Sequence, residues 1–265
     1  MNDYEVKIQS WLGEGWRRFL ANWAPLTIFN GIYTLLSIVL SIPAVVVSIP
    51  LLAFLNMQMD PLIAQHALRF IITVGLWIPV IPMAAFFMGG LFTGALAIAR
   101  GEEITVGKMF AAGPKTFMSY AAVTLLSCLL SLIPLLFNTM VAVVLSKMAL
   151  ASPLVATIIS GAFRILLSIG FMLILLPFMF TYFLIADKGM GVFDGLKLSF
   201  TTFCKHYFMN SAYLIVVTLI SFAGFLACCV GVLFTSPLVL VMITVMYLEI
   251  FRQTSGEPSS EVVEA

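Results

Sequence analysis

The chain has 265 residues, of which 62% are hydrophobic and only 9% charged, and its mean hydropathy is +1.13. A soluble domain carries about 25% charged and about 45–50% apolar residues, so a water-facing surface cannot be covered here. Composition therefore excludes a soluble fold and makes lipid the solvent, while a net charge of +1 provides no field for nucleic acid.

In chain order, the first apolar run begins near Trp23 behind a mixed-charge segment. It continues far past the roughly 7–15 residues of a signal-peptide core, so no cleavable signal is expected. Six apolar runs follow one another, at about 24–55, 70–98, 116–146, 165–186, 210–233 and 235–251. Backbone groups in hydrocarbon must be paired within the segment, which predicts helix, and the period-two alternation of a barrel is missing. The expected fold class is all-α: a polytopic helical membrane bundle of about six transmembrane helices.

Three runs are longer than the roughly 20 residues a span needs. The first contains Pro43 and Pro50, and the third contains Pro134. Proline removes a helical hydrogen bond, so the first span is predicted to end near Pro43 and the third to be interrupted at Pro134. The stretches 43–68 and 134–163 are then expected to be apolar helical hairpins on, or dipping into, the far leaflet.

Basic residues mark orientation. Ten of the thirteen, including Lys7, Arg17, Arg18, Arg100, Lys188 and Arg252, fall on one side of this topology, against Arg69, Lys147 and Arg164 on the other. That asymmetry predicts both termini in the cytosol.

Each cytosolic basic segment also has a helical apolar stripe and leads into a span. Ile8, Trp11, Leu12, Phe19 and Trp23 oppose Ser10, Glu14 and Arg17. Val106, Met109, Phe110 and Phe117 oppose Lys108 and Lys115, and Phe193, Leu196, Phe200, Phe203 and Tyr207 oppose Lys197 and Lys205. With a constant offset Phe110 matches Phe200, Lys115 matches Lys205 and Phe117 matches Tyr207. The preceding spans end alike, in Ile98-Ala99-Arg100 and Ile185-Ala186-Asp187. The chain thus reads as one membrane domain, 1–255, in three repeats of interfacial amphipathic helix plus span pair (about 6–100, 104–187 and 190–252), with a polar tail at 256–265. Such basic helices either brace the bundle or meet anionic lipid headgroups. Arg17, Arg18, Lys108, Lys115, Lys197 and Lys205 are the candidate headgroup or partner contacts.

Chemistry-bearing residues are few. Glu249 and Arg252 are three apart near the end of the sixth span and are predicted to form an interfacial ion pair, while Arg164 is expected to snorkel from the fourth. These three are the candidate intramembrane or interfacial charges. Asp187 with Lys188 is read as a turn that ends the fourth span before Gly189 and Gly191. Gly89-Gly90 and Gly94 form a small-residue ridge for close packing, within the bundle or in a homo-oligomer. Neither a nucleophile elbow, a zinc-protease motif nor a phosphate-binding loop is present. The four cysteines include no C-x-x-C pair, so no catalytic residue, metal or cofactor is expected.

The segment from Phe183 to Phe200, with its terminal Asp187, Gly-rich turn and Leu196-Lys197-Leu198-Ser199 core, resembles the YciC-like family of bacterial inner-membrane proteins. Gly15-Trp16, Phe19 and Asn22-Trp23 add to the likeness. That family is similar to the membrane domain attached to some glycerophosphodiester phosphodiesterases. The resemblance implies a multi-pass protein of the bacterial cytoplasmic membrane and carries over no catalytic residue. The expected role is non-enzymatic, supporting the envelope or binding lipid or protein partners, with a translocator of a lipid-like substrate as the alternative.

Overall fold

The structure is a computed structural model that describes residues 7–58, 61–147, 153–226 and 229–255. The side chains of His66, Arg69, Lys147 and Arg164, and the tail 256–265, lie outside the described residues. Every regular element described is helical: α1 (Ile8–Ala21), α2 (Trp23–Gln58), α3 (Pro61–Arg100), α4 (Val106–Lys147), α5 (Pro153–Leu175), α6 (Phe180–Lys188), α7 (Val192–Cys204), α8 (Tyr207–Leu226) and α9 (Cys229–Ser255). A short 3-10 turn, Leu176–Phe178, separates α5 from α6.

Among the described residues six segments are long and apolar enough to cross a membrane: Trp23–Pro43, Ile78–Arg100, Val106–Phe137, Gly161–Lys188, Tyr207–Gly224 and Gly231–Gln253. The protein is thus an all-α helical bundle of the multi-pass membrane type. Proline opens α3 and α5, at the first helical position, where its missing N–H costs no helical bond.

The prolines inside the long helices behave differently from the sequence expectation. α2 runs through Pro43 and Pro50, and α4 runs through Pro134. A proline forfeits one intrahelical bond, whereas leaving the helix in lipid would strand several backbone groups. Among the described residues the fourth span does break. Its helix gives way at Leu176–Phe178, and the Ser199 hydroxyl donates to the freed Pro177 carbonyl at 2.5 Å. The segment 106–115 also differs from a separate surface helix, because it forms the first turns of α4.

The described residues fall into two compact units, one within Met1–Thr34, Ala85–Tyr120 and Pro177–Ala265, the other within Leu35–Ala84 and Ala121–Leu176. In the second, Phe137 of α4 and Phe163 of α5 approach to 5.8 Å between ring centroids. Ile133, Ile165 and Leu166 turn outward, as suits an apolar solvent. Hydroxyls there bond to their own helices: Ser41 donates to the Ile38 carbonyl and Ser131 to that of Cys128.

In the first unit three helices pack back along the ends of spans. Met109 of α4 meets Gly90 of α3 so closely that a Cβ on Gly90 would lie 2.7 Å from the Met109 carbonyl. Ser199 of α7 reaches Pro177 just before α6, and Gly15 of α1 lies against Met242 of α9, 2.8 Å separating a Cβ there from the Met242 Cα. Gly90, Pro177 and Met242 each stand ten residues before a charged residue at a span end, namely Arg100, Asp187 and Arg252. The glycine ridge of α3 is therefore used for packing inside the bundle, against Phe29 of α2 and against α4.

The expected stripe of α7 is split, with Phe203 packed inward and Phe193 and Phe200 outward, whereas Trp11 and Phe19 of the expected α1 stripe are both buried. α7 buries Gly195, Ser199, Thr202 and Phe203, while Phe193 is 83% exposed and Phe200 is also outward. α1 buries Trp11, Gly15 and Phe19 and leaves Trp16 exposed. Lipid is as apolar as the rings, so large aromatics gain little by turning inward, whereas small residues allow close helix approach.

Candidate functional site

Aromatic contacts tie the ends of three spans together. Phe92 of α3 meets Phe183 of α6 edge-on at 4.8 Å, and Phe183 stacks on Tyr247 of α9 at 5.1 Å. Phe92 also stacks on Tyr182 at 5.3 Å, and the Tyr120 hydroxyl of α4 donates to the Tyr182 carbonyl at 2.7 Å. Such ring pairs contribute about 0.5–1.5 kcal/mol each beyond their buried area.

The three spans finish close to this cluster. α3 ends at Arg100 and passes into Gly101 at φ +77°, with the Glu102 amide donating to the Ala97 carbonyl at 2.8 Å. α6 ends at Lys188 and passes into Gly189 at φ +61°. Both are left-handed glycine caps, which complete the helix ends without a Cβ clash. Arg100, Lys188 and Arg252 occupy the last turns of α3, α6 and α9, where a cation complements the negative end of the helix dipole.

A cavity of about 740 Å³ opens among these ends and one face of α1, from Lys7 to Arg18. Among the described residues its wall carries five basic side chains, Lys7, Arg18, Arg100, Lys188 and Arg252, and three acidic ones, Glu14, Asp187 and Glu249. Each carboxylate is already engaged. Arg100 pairs with Asp187, whose other oxygen accepts a 3.0 Å hydrogen bond from the Tyr247 hydroxyl. Arg252 pairs with Glu249 at 2.7 Å, and the Gln253 amide donates to the same carboxylate at 2.8 Å. Arg18 pairs with Glu14, and Arg17 joins them at 2.7 Å. Partial burial alone would raise the Glu14 carboxyl, but the hydrogen bond and charge of Arg18, helped by Arg17, hold it below its ordinary range. Among the described residues Lys188 has no carboxylate partner; its ammonium lies 5.2 Å above the Phe251 ring.

Arg18, Glu249 and Arg252 line this cavity, while Arg17, Lys108, Lys115, Lys197 and Lys205 are not among its described lining residues. Arg17 is exposed on α1, and Lys108, Lys115, Lys197 and Lys205 are exposed along α4, α7 and the turn after α7. Arg164 falls within α5, with its side chain outside the described residues. Lys7, Trp11, Arg100, Asp187, Lys188 and Tyr247 complete the site beyond the sequence candidates. The matching span endings, Ile98-Ala99-Arg100 and Ile185-Ala186-Asp187, were the available signal for two of them.

Among the described residues no three His, Cys, Asp or Glu side chains come together as a metal site would require. The arrangement offers paired charges and ordered helix ends around a cavity. Comparison of the chain with family models, with characterised proteins and with solved structures returns no match.

Proposed function

We propose that this protein is a non-enzymatic multi-pass protein of a bacterial cytoplasmic membrane that holds an amphiphile headgroup at the cavity walled by Arg18, Arg100, Lys188 and Arg252. The observation that carries this reading is a charged cavity at the joined ends of spans, in a chain whose outward residues are otherwise largely apolar. Exposed Phe193, Phe200 and Phe208 lie on α7 and the start of α8, where rings of this kind enter the acyl boundary. The basic-residue asymmetry supports a cytosolic position for both termini and hence for the cavity. Likeness to the YciC-like family supports the same membrane and an envelope-supporting role. The parallel contacts at Gly90, Pro177 and Met242 support reading the chain as three repeated units.

Native mass spectrometry of the chain purified in mild detergent, with identification of retained lipids and proteins, tests the proposal. Retention of a lipid that is lost when Arg18 and Lys188 are both changed to Gln is the expected result. A folded chain that carries no lipid under conditions where other membrane proteins keep theirs would overturn it. One observation favours a translocator of a lipid-like substrate instead: the break at Leu176–Phe178 inside the fourth span, a feature common in transporters. Directional transfer of a labelled lipid across proteoliposomes would establish that alternative.

A further inference from the structure

We infer that α1, the first turns of α4 and α7 are three equivalent interfacial helices, seated in the phospholipid headgroup zone. This rests on the membrane residence given above and not on the cavity. Its basis is a burial pattern shared by three segments of unlike sequence. Residues 11–20 of α1, 109–118 of α4 and 195–204 of α7 follow the same order of buried, half-buried and exposed positions. Relative to α1, the α4 segment departs only at Phe117 and the α7 segment only at Thr202. Gly15, Gly113 and Ser199 are thereby equivalent, and each makes a close approach to a span. Gly15 lies against Met242, a Cβ on Gly113 would lie 2.8 Å from the Phe86 carbonyl, and Ser199 donates to the Pro177 carbonyl. This register differs from the sequence match of Phe110 with Phe200. Burial pairs Phe110 with Leu196 instead, one helical turn away and within one residue of the 87 that separate Arg100 from Asp187.

At about 100° per residue the three helices present the same three arcs in the same rotational order. Beside the buried arc comes an outward apolar one, with Trp16 and Leu20 on α1, Pro114 and Met118 on α4, and Phe200 and Cys204 on α7. Trp16 and Phe200 are almost equally exposed, at 47% and 46%, and Met118 reaches 80%. A polar arc follows, with Ser10 and Arg17, Lys108 and Lys115, and Asp194 and Thr201, the last pair flanked by Lys197 and Lys205. A helix in water would hide the apolar arc, and one in hydrocarbon would lack the polar arc; the membrane interface accommodates both. Chain connectivity fixes the same place. α1 joins α2 through Asn22 alone and α7 joins α8 through Lys205 and His206, and both α2 and α8 open on candidate spans. Outward residues continue into those spans, at Ile28 after α1 and at Phe208 after α7. α4 runs unbroken from its first turns into its own span. The partner is therefore the bilayer surface itself, with acyl chains against the apolar arcs and lipid phosphates against the cations beside them.

The test uses the full chain, with its native cysteines replaced, in vesicles of phosphatidylcholine and phosphatidylglycerol. A nitroxide is attached in turn at Trp16→Cys and Arg17→Cys, at Met118→Cys and Lys115→Cys, and at Phe200→Cys and Thr201→Cys. Its collisions with oxygen and with a water-soluble nickel chelate give its depth. In every pair the first label should lie about 5–10 Å below the lipid phosphates and the second at their level or above. Leu20→Cys and Phe193→Cys stand on the same apolar arcs and replace Trp16→Cys or Phe200→Cys if either fails to reconstitute. Equal depth within the pairs would overturn the interfacial placement. Apolar-arc labels closed to both oxygen and nickel would mean that protein covers the arc, a second copy or another chain, and would overturn the lipid assignment. A depth difference at one helix and not at the others would overturn the equivalence. Loss of retained lipid in the co-purification is a separate result, which bears on the cavity alone.

Discussion

Arg100, the last residue of α3, and Asp187, the penultimate residue of α6, meet side chain to side chain although 87 residues separate them. Both follow an Ile-Ala pair at a span end, so the match in sequence becomes a contact in space. Asp187 also accepts from Tyr247 of α9, which makes its carboxylate the point at which three spans join.

The first prediction concerns that pair. Arg100 is 42% exposed and Asp187 13%, a setting in which an ion pair contributes about 0.2–1 kcal/mol. Unfolding Arg100→Ala, Asp187→Ala and the double variant in mixed micelles should give a coupling near the top of that range. Asp187→Ala should be the costlier single change, because it also leaves the Tyr247 hydroxyl without its acceptor. Strictly additive single effects would remove the pair from any account of the site's stability.

Tyr247→Phe isolates the second bond to Asp187. It keeps the ring stacked on Phe183 and deletes only the hydroxyl. A hydrogen bond to a charged acceptor contributes roughly 1.5–3 kcal/mol, against about 0.5–1.5 for a neutral one. Tyr213→Phe, which loses a 2.7 Å bond to the Met242 carbonyl, supplies the neutral reference. The expected order of destabilisation is Tyr247→Phe above Tyr213→Phe, read from the same micelle unfolding curves.

Two glycines of α1 should respond in opposite directions. A Cβ on Gly13 meets nothing within 4 Å, so Gly13→Ala should stabilise the helix by up to about 1 kcal/mol through propensity alone. A Cβ on Gly15 would press on the Met242 backbone, and Gly15→Ala should cost about 1–3 kcal/mol as α1 is pushed off α9. Melting temperatures of the two variants check this, and equal shifts would mean that α1 is not docked there.

Much of this architecture is legible in the sequence because lipid imposes one rule on every span, and apolar runs report it directly. The ends of α3 and α6 are legible too, since Gly101 and Gly189 mark left-handed caps. Helix faces are not. Periodicity groups Phe193 and Phe200 on one face of α7 without fixing whether that face meets the bundle or lipid; Gly195 and Ser199 are inside, because the hydrophobic effect that sorts faces in water has no counterpart between helices in lipid. The cavity escapes local rules as well. Glu249 and Arg252 are neighbours on one helix, but Arg100, Asp187 and Trp11 come from distant elements, and only the repeated span endings hint that the first two meet.

Orientation has its own test. The basic-residue pattern predicts that positions 147 and 197 face opposite sides of the membrane. With the native cysteines removed, Lys147→Cys should react with an impermeant maleimide in intact spheroplasts, and Lys197→Cys only after permeabilisation. Both reacting from the same side would invert or refold the topology.

Acid should loosen α1 through Glu14. Arg18 and Arg17 hold the Glu14 carboxyl below its ordinary value, so its folded pKa lies under its unfolded one. A depressed carboxylate adds stability above the unfolded pKa, and that contribution disappears as pH falls through the folded value. The chain should therefore melt at a higher temperature than Glu14→Gln at neutral pH, and the gap should close as the solution is taken below the usual carboxylate range. Glutamine keeps the size and one acceptor of the side chain, so the closing gap isolates the charge. A gap of constant size across that range would assign the effect of Glu14 to packing rather than to its charge.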